Sequence, residues 1–133
     1  MQQFFLKMDP PTKTQQEHRV GINKKGKPYF YEDQDLLKVR MSLRRALSDF
    51  VPKEPYMGAV RLVVKWCFPK KKHNDGEYKT TKPDTDNLNK MLKDEMTKLG
   101  FWKDDALVAS EIIEKFWADI PGIFIRVEEI ENE

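Results

Sequence analysis

The chain has one cysteine, Cys67, and two histidines, His18 and His73, among its 133 residues. A lone cysteine excludes a disulfide framework. Histidines without partners at ligand spacing exclude the usual Cys/His zinc sites and leave neither ring as a candidate base. Cys67 lies in a Val/Trp/Phe-rich stretch and reads as a buried apolar side chain in a reducing compartment. The six glycines never gather into a phosphate-cradling loop, which removes the P-loop and dinucleotide-binding readings. No apolar run comes near the roughly 20 residues of a membrane span, and a signal-type hydrophobic core is lacking. The expectation is a soluble, cytoplasmic protein with no membrane partner. Repeats and low-complexity linkers are also lacking, and the length suits one domain, residues 1–133, with a small core.

Charge, by contrast, is abundant and unevenly placed. The net value is +2, yet residues 1–82 hold 18 Lys/Arg against 9 Asp/Glu, a balance of +9, and residues 83–133 hold 6 against 13, a balance of −7. An evenly mixed surface would bias neither half. A basic half joined to an acidic half points to a polyanion held by the first and a metal ion by the second.

The acidic half opens with Pro83-Asp84-Thr85-Asp86-Asn87, after which Leu88, Met91, Leu92, Met96 and Leu99 recur at helical spacing up to Gly100. Pro at the entrance and Gly past the exit frame an amphipathic helix over residues 84–99. Asp86 and Lys90 are one turn apart on the side away from the apolar stripe. Such a helix is about 20 Å long, and the residues from Gly100 to Asp105, when extended, also reach roughly 20 Å. Asp104 and Asp105 can therefore return to the helix entrance. That would gather Asp84, Asp86 and Asp105, with Asp104 as a further member, into one carboxylate cluster beside Lys90. Carboxylate sites without His or Cys suit Mg2+ or Mn2+ rather than zinc. The plainer alternative makes Asp84 or Asp86 a helix cap, Asp86 and Lys90 a surface ion pair, and Asp104-Asp105 the start of the next element. One cap needs one Asp, whereas this entrance has two and an Asn.

Ahead of that helix, residues 2–8 alternate as a strand, and residues 12–31 suit a polar, basic hairpin turning near Lys24 and Lys25. Arg19, Lys24 and Lys25 are candidate phosphate contacts, with a solvated loop as the alternative. Residues 33–50 read as a helix whose stripe of Leu36, Val39, Leu43, Leu47 and Phe50 faces the core, with Lys38, Arg40, Arg44 and Arg45 largely off it and open to nucleic acid or solvent. Residues 58–68 form the clearest strand, with Val60, Leu62, Val64, Trp66 and Phe68 on one face and a central place in the sheet. Residues 69–82 lack an apolar period and read as a mobile basic arm. Its Lys70, Lys71, Lys72, Lys79 and Lys82 are placed to bring a phosphate backbone towards the aspartates, and Tyr78 to stack on an unpaired base. Residues 106–118 fit either a strand or a helix by pattern. Pro121-Gly122 turns into a last strand over residues 123–130, and the acidic end from Glu128 onward is expected to be solvated.

The stretch KPDTDNLNKMLKDEMTKLGFWKDDALVASEIIEKFW, residues 82–117, resembles the core of the RusA family of Holliday-junction resolvases. That family's signature has Pro-Asp-x-Asp-Asn, a Lys four residues after the second Asp, a hydrophobic helix, and Asp-Asp opening a strand that ends in Lys. Here those positions are Asp84, Asp86, Asn87, Lys90, Asp104, Asp105 and Lys115. The likeness is strongest over residues 80–117, fainter over 58–69 and faintest at the N-terminus. With the β-branched content, it favours a strand over 106–118, expected to pair with 123–130 as a hairpin. The element order then predicts an α/β fold, a mixed sheet with two packed helices in one domain. The resemblance adds a homodimer, and it implies that Asp84, Asp86, Lys90 and Asp105 are catalytic with Mg2+ or Mn2+ as cofactor.

Three functions fit these residues. The resemblance implies the first, a metal-dependent endodeoxyribonuclease that resolves Holliday junctions, its partner being branched DNA in a bacterial or phage-infected cell. The second is a metal-dependent nucleotide phosphohydrolase, for which the basic half would be largely superfluous. The third is a non-catalytic nucleic-acid-binding module whose aspartates are caps and ion pairs.

Overall fold

Val60, Leu62, Val64 and Trp66 are fully buried, and Val63, which points the other way, is 7% exposed. A strand apolar on both faces calls for neighbours along both edges. The computed structural model of the protein describes residues 1–14, 18–22, 24, 26, 28–32 and 34–131, with 18–22 and 28–32 described by their backbone. In chain order it has β1 (Gln2–Leu6), β2 (His18–Ile22), β3 (Pro28–Glu32), α1 (Gln34–Ser48), β4 (Val60–Pro69), α2 (Thr85–Leu99), a 3-10 turn (Asp105–Leu107), β5 (Val108–Ala118) and β6 (Gly122–Glu129). The main sheet has the order β1-β6-β4-β5, so β4 is interior, and β2 and β3 form a separate hairpin.

The expected hairpin of the last two strands does not form. β5 runs parallel to β4, β6 runs antiparallel to β4, and β4 lies between them. Parallel neighbours need a helical crossover, which α2 supplies. The link from Ala118 to Gly122 then has to hop two strand spacings, roughly 9.6 Å, and four residue steps reach about 13 Å. A short Pro-Gly link thus serves either topology, and the apolarity of β4 decides between them.

Both helices cover one face of this sheet. Leu36, Leu43 and Leu47 of α1 and Leu88, Met91, Leu92 and Met96 of α2 join Leu62, Val64, Trp66, Ile123, Ile125 and Val127 in one core. Two ion pairs tie helix to helix: Arg40 to Asp94 at 3.4 Å and Arg44 to Glu95 at 2.6 Å. These arginines, expected to be open to nucleic acid or solvent, are therefore spent inside the fold. β6 continues to Glu129, and within it Glu128 is half-buried and Glu129 exposed. Among the described residues no helix is long and apolar enough to cross a membrane.

Candidate active site

The site is built at the two ends of α2. At its entrance Asp84 takes extended angles (φ −73°, ψ 148°) as N-cap residue, but its side chain makes no capping hydrogen bond. Among the described residues its backbone carbonyl accepts from the Leu88 N–H at 3.1 Å. Asp86 follows in the first turn, and both side chains are exposed. Unsatisfied N–H groups at a helix start favour negative charge there, which makes two carboxylates tolerable side by side.

At the other end Gly100 adopts φ 92°, a left-handed C-cap that suits glycine, and its N–H and that of Phe101 close onto Thr97 and Met96. Phe101 and Trp102 then plunge into the core at 0% and 1% exposure. Trp102 Nε1 donates to Thr97 Oγ1 at 2.7 Å and the Tyr56 N–H to the Phe101 carbonyl at 2.8 Å, which anchors the return of the chain. Asp104 Oδ1 accepts from the Ala106 N–H at 2.9 Å and so caps the 3-10 turn. That task leaves Asp105 as the member of the pair that faces the site.

Asp86 and Asp105 line one open cleft of about 350 Å³ together with Asn89 and Lys90, and Lys93 paired to Glu111 at 2.6 Å forms part of its wall. Asp84 lines a neighbouring pocket of about 180 Å³ with Thr12, Lys13, Lys82 and Asn87. The expected single cluster is therefore divided: among the described residues no three His, Cys, Asp or Glu side chains stand together as an ion-holding group. Asp84 and Asp86 thus line adjoining pockets at the helix entrance, a partition that spacing alone does not reveal. Asp84, Asp86 and Asp105 have no ion-pair partner among the described residues. Asn89 Oδ1 is buried without a hydrogen-bond partner among the described residues. The donor set is all oxygen, with His73 stacked away against Trp117 at 4.2 Å. It fits a hard divalent cation, which takes one or two carboxylates and completes its sphere with water and phosphate oxygens.

Lys90 does not pair with Asp86. Its Nζ lies 3.9 Å from Asp94 Oδ2, and its side chain keeps 76% of its surface exposed. The ammonium is therefore available at the cleft.

The basic stretch 69–82 is not a free arm but an extra rung on the outer edge of β5. Gly76 N–H donates to the Trp117 carbonyl and Trp117 N–H to that of Glu77, both at 2.8 Å, and Lys79 N–H to that of Lys115 at 3.0 Å. Tyr78 turns to the open face, stacked on Phe116 at 4.9 Å with its hydroxyl donating to Glu114, and stays 61% exposed. Lys79 turns the other way and is 8% exposed, 4.4 Å from the Trp117 ring centre and 5.1 Å from that of Phe68. Burial, and then the positive Lys115 and Lys71, push its pKa down. Lys79 thus faces the fold and not a DNA strand. Lys70 pairs with Asp119 at 3.3 Å, while Lys71, Lys72 and Lys82 are exposed, as is Lys24 at the hairpin turn. The Arg19 side chain and Lys25 lie outside the described residues.

Lys115 holds the loop ahead of α2, a contact that the motif did not disclose. Its Nζ donates to the carbonyls of Thr81 and Pro83, both at 2.7 Å. Strand parity carries the signal, since Lys115 shares its face with Ile113 and Trp117 and stands opposite the fully buried Trp66.

A single α/β domain thus carries an acidic, all-oxygen cleft with Lys90 and Lys93 among its lining residues. The chain belongs to the endodeoxyribonuclease RusA family, whose pattern it matches over residues 10–128. It is similar to the crossover junction endodeoxyribonuclease rusA of Lactococcus phage r1t, with 36% identity over 110 residues covering 80% of this chain and 81% of that protein.

Proposed function

We propose that the chain is a metal-dependent endodeoxyribonuclease that resolves Holliday junctions by paired phosphodiester hydrolysis, in DNA recombination and repair. The observation that carries this reading is the meeting of Asp86 and Asp105, from opposite ends of the α2 crossover, in one cleft with Lys90. Asp86 and Asp105 would hold Mg2+ or Mn2+, with Asp84 from the helix entrance supplying a further carboxylate. The chemistry such an ion supplies when bound is polarisation of the scissile phosphate and activation of water.

The chain's own residues do the rest. The Lys90 ammonium faces the same cleft, where it stabilises charge developing on the phosphoryl oxygens. Exposed Lys71, Lys72, Lys82 and Lys24 hold the phosphate backbone and orient it over the acidic cleft. A junction needs two symmetric cuts, which a two-fold dimer carrying two such sites delivers. The sheet face away from the helices supports that assembly, because Phe116 and Phe124 are half-buried there and Ile112 is 48% exposed. The substrate places its action in the cytoplasm of a bacterial or phage-infected cell.

The test offers synthetic four-way, three-way and linear DNA side by side with Mg2+ and with EDTA. Symmetric nicks in the four-way junction, stopped by EDTA, are expected. Cutting of all three substrates alike would overturn junction selectivity. Hydrolysis of free nucleotides without cutting would establish the phosphohydrolase reading, and binding without turnover the non-catalytic module.

A further inference from the structure

We infer that Lys115, seconded by Lys79, is a positioning residue for Asp84: the two ammonium groups grip the backbone of residues 81–83 and so set the direction in which the Asp84 carboxylate is presented. This rests on the reading of Asp84 as a carboxylate of the metal site.

Three consecutive carbonyls are held. Lys115 Nζ takes those of Thr81 and Pro83 at 2.7 Å each, and Lys79 Nζ takes that of Lys82 at 2.7 Å while also donating to Thr81 Oγ1. On the far side of Asp84, the Leu88 N–H holds the Asp84 carbonyl at 3.1 Å. The residue is therefore pinned through the main chain on both sides, while its side chain spends nothing on the helix cap. A cap residue held by its neighbours' carbonyls, with its own carboxylate unspent, is arranged to present that carboxylate outward.

The electrostatics point the same way. A lysine drawn below the surface is ordinarily matched with a carboxylate, because an unpaired ammonium loses hydration. Lys79 is 8% exposed and Lys115 half-buried, yet neither has an ion-pair partner among the described residues. They meet carbonyls, a hydroxyl and the Trp117 ring instead. Two uncompensated positive charges thus lie just behind the loop that delivers Asp84. A loop clasp with no bearing on the site would gain more from one Lys–Asp pair than from two cations side by side.

The experiment is a cycle of Asp84→Asn, Lys115→Met and the double variant in the full chain, read by Mn2+ affinity from calorimetry and the electron paramagnetic resonance of bound Mn2+. Asp84→Asn should weaken Mn2+ binding, and Lys115→Met should weaken it about 10-fold, the scale seen when a residue supporting a metal ligand is removed. The double variant should be no weaker than Asp84→Asn alone, since a residue acting through Asp84 has nothing left to position. Independent, additive losses would overturn the inference. Loss with Asp84→Asn but not with Lys115→Met would overturn it while leaving the metal reading intact. No loss with Asp84→Asn would remove Asp84 from the metal site and this inference with it. Should Lys115→Met lower the melting temperature, Lys115→Arg, which keeps charge and donors, must restore Mn2+ affinity, and its failure to do so would overturn the positioning role.

Discussion

Arg44 on α1 donates from Nε to Oε2 of Glu95 on α2 at 2.6 Å, and the Glu95 side chain is completely buried. Lys98 approaches the other oxygen of that carboxylate at 3.5 Å. The hydrogen bond to Glu95 is the largest influence raising the Arg44 pKa, so the arginine stays charged at every working pH. Stripping a buried carboxylate of its partner costs about 3–5 kcal/mol. Here the Arg44 side chain keeps 34% of its surface in water and Lys98 remains, so Arg44→Met is expected to cost less, about 1–3 kcal/mol. Urea unfolding measures it, and an unchanged midpoint would mean that the pair adds nothing to the α1–α2 contact.

The divided acidic site makes the four aspartates unequal. Asp86→Asn and Asp105→Asn should each lower Mg2+-dependent cutting by about 100-fold or more, while junction binding persists or tightens as negative charge facing DNA is removed. Asp104→Asn should leave cutting close to wild type, because Asn caps a helical turn about as well as Asp and the Asp104 oxygen is occupied by the Ala106 N–H. A gel assay of all three variants decides the matter, and the ranking fails if Asp104→Asn is the inactive one.

Much of this was legible in the chain, for identifiable reasons. Pro83 and Gly100 punctuate α2, and its Leu/Met period leaves one buried face. The alternation of β4 announced an interior strand. What misled was local: Pro121-Gly122 reads as a hairpin turn, yet the buried Val63 on the second face of β4 already required a strand on each side. The meeting of Asp86 with Asp105 was allowed, though not required, by helix length and loop reach. The parting of Asp84 from them, and the inward turn of Lys79, depend on which way a side chain faces once the loop lies along β5. No periodicity in residues 69–82 records that.

Cys67, half-buried on the second face of β4 rather than in the core, tests how far that face is shielded. Burial pushes its thiol pKa up, with Lys65 nearby pulling modestly the other way. A raised pKa means less thiolate at any given pH, so alkylation should set in at a higher pH than for a free thiol of pKa about 8.5. At pH 7.5 iodoacetamide should modify the folded chain several-fold more slowly than the urea-unfolded chain. Equal rates would show that the thiol is not shielded.

The lysines of residues 69–82 should contribute unequally to DNA affinity. Each phosphate that a lysine neutralises on duplex DNA steepens the fall of log affinity with log salt by about 0.9. Lys71→Ala and Lys72→Ala, which remove exposed ammonium groups, should each flatten the slope by about that amount. Lys70→Ala should do less, since Asp119 already lies 3.3 Å from its Nζ. Lys79→Met should leave the slope alone, because its charge is turned into the fold. Binding titrations across a salt series separate the four, and a flattened slope for Lys79→Met would mean that the loop lifts off β5 to meet DNA.

Lys90 offers the sharpest separation of catalysis from stability. Its nearest carboxylate, Asp94, is 3.9 Å away on the next turn, and 76% of the lysine side chain is exposed. Such a helix-surface pair is worth about 0.2–0.5 kcal/mol, too little to shift the melting temperature by more than a degree or two. The same ammonium lines the cleft with Asp86 and Asp105, where a preorganised charge facing developing phosphoryl charge contributes more in the transition state than in the ground state. Lys90→Ala should therefore fold and bind junctions as wild type does, yet cut at least about 10-fold more slowly, the equivalent of about 1.4 kcal/mol of barrier. Lys90→Arg, which restores charge with a different shape, should recover part of the rate. Full-rate cutting by Lys90→Ala would return the residue to the role of an ordinary surface charge on α2.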